Sequence, residues 1–176
     1  QVTCASSEKR DELLEAVDGV AQSYGDFGAA LRPHKRTPVP ALPLFDEGVW
    51  WAQDAGAMQA ALLLRSLPKG AKVLDMCSAP GGKALQLSSF GFDVVAVEKS
   101  TKRAARLRQN LERCKCDVDV RVQDATLIND MFDGVLVDAP CSATGTARRR
   151  PDVLRKELDL EALAATQAAL LDAAWR

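Results

Sequence analysis

Short apolar runs alternate with amphipathic stretches along most of the chain, and they predict strand, turn and helix in repeated order. Lys72–Met76 reads as a buried strand, followed by a helix over about 83–90; Asp93–Val97 is a second strand, followed by a helix over 99–114. In that second helix Ala104, Leu107, Leu111 and Cys114 recur at helical spacing, with basic residues mostly on the other faces. Residues 119–122 and 132–137 give a third and a fourth strand, and 159–176 a long helix rich in Ala and Leu. Strands that are apolar on both faces and alternate with helices call for an α/β fold with a mostly parallel sheet covered on both sides. Upstream the signal is weaker. Residues 8–20 read as a helix capped by Ser7, with Leu13, Leu14 and Val17 on its apolar side, whereas 21–37 carry Gly25, Gly28 and Pro33 and show no clear period. Pro38, Pro40 and Pro43 then predict a stiff, extended connector into Leu44 and Phe45. Asp54 caps a helix reaching about Ser66, with Met58, Ala61 and Leu62 on its stripe. This divides the chain into an N-terminal subdomain with its Pro-rich connector, 1–44, and a core, 45–176.

The length of 176 residues suits one ordinary domain, and 47% hydrophobic with 27% charged residues is enough to bury a core. No apolar run approaches the ~18–20 residues that span a bilayer, and the start at Gln1 carries no basic-then-apolar leader. A chain that opens on Gln is expected to be a piece of a longer one. Five cysteines (4, 77, 114, 116 and 141) are an odd number in a chain that needs no staples, which predicts reduced thiols and a cytoplasmic location. The net charge of −1 hides segregation. Lys99, Lys102, Arg103, Arg106, Arg108, Arg113 and Lys115 face Glu112 alone, and Arg148, Arg149, Arg150, Arg155 and Lys156 enclose only Asp152. Such clusters permit a polyanion-binding face, the alternative being a solvated helix face.

In an open α/β sheet the ligand lies beyond the carboxyl ends of the strands. Here the predicted strands end at Asp75, Glu98, Asp124 and Asp138. Any one of these acids has helix capping as its plain explanation, but four in register point to a site. Glu98 follows Asp75 by 23 residues, near the ~20-residue spacing at which a second-strand acid meets a ribose.

The first turn, Cys77-Ser78-Ala79-Pro80-Gly81-Gly82-Lys83, decides the ligand class. Gly81 and Gly82 let the backbone come close, and the helix that follows offers free amide donors. A Walker loop would need Gly at 77 and Ser or Thr at 84, where this chain has Cys77 and Ala84, and there is no G-x-G-x-x-G. A carboxylate ligand carrying an adenosine remains, and S-adenosylmethionine is such a molecule. The fourth strand leads into Asp138-Ala139-Pro140-Cys141-Ser142-Ala143-Thr144-Gly145. A cysteine at the mouth of such a cleft has a chemical use, because carbon 5 of cytosine is too weak a nucleophile to take a methyl group unaided. Adding a thiolate to carbon 6 makes carbon 5 nucleophilic, and a base must later remove its proton. On this chemistry alone Cys141 is the candidate nucleophile.

These two segments resemble those of the Sun/Fmu-type RNA cytosine-5 methyltransferases. The similarity extends to Phe45-Asp46-Glu47-Gly48, Gln53-Asp54, Arg149-Arg150-Pro151-Asp152 and Thr166-Gln167, over about 38–176, with a looser match in 1–37. The resemblance implies a Rossmann-like class I S-adenosylmethionine-dependent methyltransferase fold, C-terminally incomplete here, acting on carbon 5 of cytosine in RNA, expected to be 16S ribosomal RNA. By position it assigns cofactor contacts to Cys77, Ser78, Ala79, Pro80, Gly81, Gly82, Lys83, Glu98, Asp124 and Asp138. Cys141 matches the cysteine that assists product release. The family's nucleophile is a second cysteine, in a Thr-Cys-Ser segment after the last helix, whereas this chain ends at Arg176. The fragment is therefore expected to be inactive. Glu98 stands where Asp is usual and Ala84 where Thr is usual.

Plainer uses compete for several of these residues. Cys77 alone would be a small buried hydrophobe. Cys114-x-Cys116 without a nearby His is poor zinc spacing, so no metal is expected, and His34 reads as a surface residue. Trp50 and Trp51 suit either base stacking or core packing. Arg148, Arg149 and Arg150, directly after the Cys141 loop, are the better candidates for RNA phosphates. Two other functions stay open: a DNA cytosine-5 methyltransferase, against which the first loop argues, and a non-catalytic module binding S-adenosylmethionine or RNA.

Overall fold

The computed structural model describes residues 1–147 and 150–176. Two four-stranded sheets organise it. The C-terminal sheet is parallel throughout, in the order β7 (Asp119–Arg121), β6 (Asp93–Val97), β5 (Lys72–Met76), β8 (Gly134–Val137). Alternation along each strand sends residues to opposite faces, and both faces are covered. Val73, Val94 and Ala96 meet α2 (Ala55–Leu62), α3 (Gly82–Ser89) and α4 (Thr101–Arg113) through Ala61, Leu85, Leu87, Leu107 and Leu111. Leu74, Met76, Val95 and Val97 meet α5 (Leu160–Trp175) through Leu170, Ala173 and Ala174. This is the doubly covered parallel sheet that the runs of Val and Leu predict. On α5 Leu160, Leu171 and Trp175 remain exposed.

The N-terminal sheet is antiparallel and departs from the sequence reading. Its order is β2 (Gly19–Tyr24), β3 (Gly28–Pro33), β1 (Val2–Cys4), β4 (Trp50–Ala52), so it reaches past residue 44 to take in the tryptophan pair. Residues 21–37, read as aperiodic, form most of a hairpin that turns through Gly25-Asp26-Phe27. The helix expected over 8–20 is α1 (Ser7–Ala16), capped by Ser6 rather than Ser7: the Ser6 hydroxyl accepts the Lys9 N–H at 3.3 Å. It stops early because Gly19 starts a strand. A Cβ at Gly19 would lie 2.4 Å from the Arg32 carbonyl oxygen, so only glycine permits that close pairing. The proline connector is not wholly extended, since Val39–Ala41 closes a 3-10 turn. The helix from Asp54 ends at Leu62, after which Leu64, Arg65 and Leu67 continue in i→i−3 turns.

Trp50 and Trp51 belong to the core. Trp50 is fully buried and donates its indole N–H to the Pro43 carbonyl at 2.8 Å. Trp51 donates to Gln53 Oε1 at 2.9 Å; Gln53 donates to Gln86 Oε1 at 3.1 Å, and Gln86 to the Met58 carbonyl at 3.1 Å. This buried chain ties the N-terminal sheet to α2 and α3, so both indoles serve the core, and Trp51 also borders a groove on the outer side.

Candidate functional site

At the carboxyl edge of the parallel sheet the chain makes sharp turns. Cys77 lies at φ 61°, the Ala79–Pro80 peptide is cis, and Gly81 at φ 106° opens α3. A Cβ at Gly81 would sit 2.6 Å from Leu107 Cδ1, so the loop is pressed against α4. Helix α4 also holds the loop by its carbonyls: Arg103 donates to Ala79 O and Asn110 to Pro80 O, both at 2.7 Å.

Of the four strand-end acids, three face the cleft. Glu98, Asp124 and Asp138 line a cavity of about 570 Å³ together with Cys77, Arg103 and Pro140, and α5 closes one side through Thr166, Ala169 and Leu170. Glu98 is 3% exposed. Its Oε1 accepts the Ser100 N–H at 2.9 Å, and its Oε2 lies 3.3 Å from Arg103 Nη1 but has no hydrogen-bond partner. A buried carboxylate oxygen without a donor is costly unless a ligand supplies one. Asp124 caps the 3-10 turn Ala125–Leu127 and pairs with Lys99 at 2.8 Å. The Lys99 ammonium, then the Thr126 hydroxyl and amide, hold its carboxyl down at about 2. Capping and cleft lining thus coexist in one residue. Asp138 accepts from Lys83 Nζ at 2.7 Å, which brings a cation from the loop to the end of β8.

Asp75 turns the other way. It is completely buried, accepts from the Ser78 hydroxyl at 2.7 Å, and leaves Oδ1 unpaired. Burial pushes its carboxyl up to about 7 against the opposing pull of Ser78 and Lys83. The folded chain therefore binds this proton more tightly than the unfolded chain, whose aspartate titrates near ~4. The stability Asp75 contributes is complete below that value and is lost as pH rises through about 7. Asp75→Asn is expected to flatten the decline between those limits, read by urea unfolding at a series of pH values. An equally steep decline in the variant would assign the pH dependence to other groups.

The loop residues divide by direction. Cys77 reaches the cleft wall, Ser78 serves Asp75, Ala79 and Pro80 give their carbonyls to α4, and Lys83 serves Asp138. Pro80 and Gly82 border a second groove on the outer side. Cys141 is exposed and follows Pro140, whose carbonyl accepts from Gln167 at 2.9 Å. The other four thiols are buried or half-buried. Desolvation pushes Cys4 up to about 12 and Cys114 to about 11, and it also raises Cys77 and Cys116. Arg150 is exposed and lies 3.3 Å from Asp152, while Arg148 and Arg149 fall outside the described residues. Among the described residues no group of three or more His, Cys, Asp or Glu side chains could hold a metal ion, and no helix is long and apolar enough to cross a membrane.

The residues present fit S-adenosylmethionine: a buried carboxylate at Glu98 with an unpartnered acceptor oxygen, a glycine turn opening a helix, and a cavity of about 570 Å³. Comparison with known proteins agrees with this chemistry. A family model described as 16S rRNA methyltransferase RsmB/F matches residues 61–176. The chain belongs to this family. It is 40% identical over 178 residues to ribosomal RNA small subunit methyltransferase B of Photorhabdus laumondii, covering 94% of this chain and 41% of that protein. The chain thus spans about two fifths of the length of such relatives. The structure of NSun6 from Pyrococcus horikoshii with SFG, an S-adenosylmethionine analogue, superposes with TM-score 0.69 at 28% identity, over 84% of this chain and 41% of that one. A methyltransferase homologue from the same organism gives TM-score 0.76 at 24% identity, over 98% and 58%. The RsmB/F family is S-adenosylmethionine-dependent, and the fold is the Rossmann-like methyltransferase fold.

Proposed function

We propose that this chain is the cofactor-binding part of an enzyme that methylates carbon 5 of a cytosine in 16S ribosomal RNA. The observation that carries the reading is the position of Cys141: the chain's one exposed thiol is the residue directly after Pro140, and Pro140 lines the cleft together with Glu98 and Asp138. S-adenosylmethionine supplies an electrophilic methyl group when bound. Glu98 accepts the ribose hydroxyls; Asp124 borders the adenosine end. The turn of Cys77, Ser78, Ala79, Pro80, Gly81 and Gly82 is assigned to the amino-acid end, with Cys77 as its member on the cleft wall. Lys83 and Asp138 hold one another at the end of β8 and would belong to the same cofactor site. The cytosine must arrive unpaired or flipped for Cys141 to reach it, and Arg148, Arg149 and Arg150 are assigned to the phosphates of its strand. An RNA substrate and a cytoplasmic location follow from the ribosomal reading.

The cofactor half of the proposal is tested by calorimetry with S-adenosylhomocysteine. Removing a carboxylate that accepts two hydroxyls costs about 1.5–3 kcal/mol, so Glu98→Ala is expected to weaken binding by about ten- to a hundredfold. Unchanged affinity would move the ribose contact off Glu98.

A further inference from the structure

The basic stretch 99–115 is not a uniform charged face. On α4 the residues Arg103, Arg106, Asn110 and Arg113 fall at i, i+3, i+7 and i+10, one stripe along the helix. Three of them are engaged with backbone carbonyls: Arg103 with Ala79, Asn110 with Pro80, and Arg113 with Phe45 and Trp50. Arg106 is the exception. It is exposed and has no hydrogen bond or ion pair among the described residues. It borders a groove of about 270 Å³, between the proline connector and the cofactor loop, with walls of Val39, Pro40, Phe45, Trp51 and Pro80. No acidic residue lines this groove, whereas the main cleft carries Glu98, Asp124 and Asp138. Lys102, also exposed, stands one helical turn before Arg106.

We infer that this groove is a docking site for one nucleotide of the RNA strand, apart from the target cytosine; the inference rests on the RNA reading proposed above. A free cation at the rim of an apolar, acid-free groove suits a phosphodiester with its sugar and base against the walls. Because Pro80 and Gly82 form one side of the groove, a strand held there passes the outer side of the cofactor loop. Charge complementarity calls for an anion, and the apolar walls favour RNA, whose planar base an acidic side chain lacks.

The test is fluorescence anisotropy of the chain with a short fluorescein-labelled single-stranded RNA of 16S sequence, repeated over a range of salt. Arg106→Ala is expected to weaken RNA binding about three- to tenfold at low salt and to lower the salt slope by about one contact, with Arg106→Glu weakening it further. Affinity for S-adenosylhomocysteine is expected to stay the same, and thiouridine-labelled RNA is expected to photo-crosslink within 39–45. If the unaltered chain binds no RNA, the RNA reading fails and the groove with it. If RNA binds and the Arg106 variants bind it equally well, the groove alone is rejected. Equal losses for RNA and for heparin, or for an acidic peptide, would show a charge effect without nucleotide recognition and would also overturn it.

Discussion

Arg113→Ala is expected to destabilise the chain by about 3–5 kcal/mol, and so to lower Tm by roughly 10 °C. The guanidinium donates to Phe45 O at 2.5 Å and, through both terminal nitrogens, to Trp50 O at 3.1 Å. It also lies 4.0 Å from the centroid of the Phe45 ring. Charged hydrogen bonds of this kind contribute more than neutral ones, and truncation removes both guanidinium donors from Trp50 O and leaves Phe45 O with the Gly48 N–H alone. The junction has no slack: Gly48, at φ 73°, lies so close that a Cβ there would be 2.1 Å from the Arg113 carbonyl oxygen. Arg113→Lys keeps the charge but cannot fork to two carbonyls, so it is expected to recover only part of the loss. Urea unfolding of both variants reads the effect, and a loss below ~1 kcal/mol would show that other contacts hold the N-terminal sheet on α4. The same helix holds Ala79, Pro80 and Gly81. Damage at Arg113 should therefore also weaken cofactor binding, at a distance.

The parallel sheet was legible because its strands, buried on both faces, write their position as unbroken Val and Leu runs with an acid at each end. The N-terminal hairpin was not. Its second strand, Gly28-Ala29-Ala30-Leu31-Arg32-Pro33, has no β-branched residue and carries two residues that usually mark breaks. It exists because β1 and β2 pair on either side of it, and such pairing is long-range information. The stripe on α4 failed for a related reason. Charge clusters report solvent or a polyanion by default, yet Arg103, Arg108 and Arg113 bind backbone carbonyls at Ala79, Val120 and Trp50, and a carbonyl has no residue-type signature. In the site, Glu98, Asp124 and Asp138 follow from strand ends in register. Asp75 does not share their direction, because the alternation that sends Leu74 and Met76 to one face sends it inward to Ser78.

The 176-residue chain is expected to bind the cofactor and transfer no methyl group to ribosomal RNA. Attack on carbon 6 of cytosine needs a thiolate that can reach the base. Cys4 is wholly buried in the N-terminal sheet with its thiol at about 12, and Cys114, at about 11, packs against the core. Cys116 and Cys77 are half-buried and raised by desolvation, and Cys77 is fixed within the cofactor loop. Cys141 alone is exposed. If that thiol serves product release, as the Sun/Fmu resemblance implies, none remains for the attack; serine is a much poorer nucleophile at neutral pH. In a longer chain that carries the Thr-Cys-Ser segment, Cys141→Ala should then accumulate a covalent enzyme–RNA adduct, visible as a shifted band on a denaturing gel. If Cys141 is itself the nucleophile, the same substitution abolishes every adduct, and the 176-residue chain transfers labelled methyl above a no-enzyme blank. Transfer by the short chain would therefore overturn the release role and leave Cys141 with the attack that its exposure beside Pro140 permits.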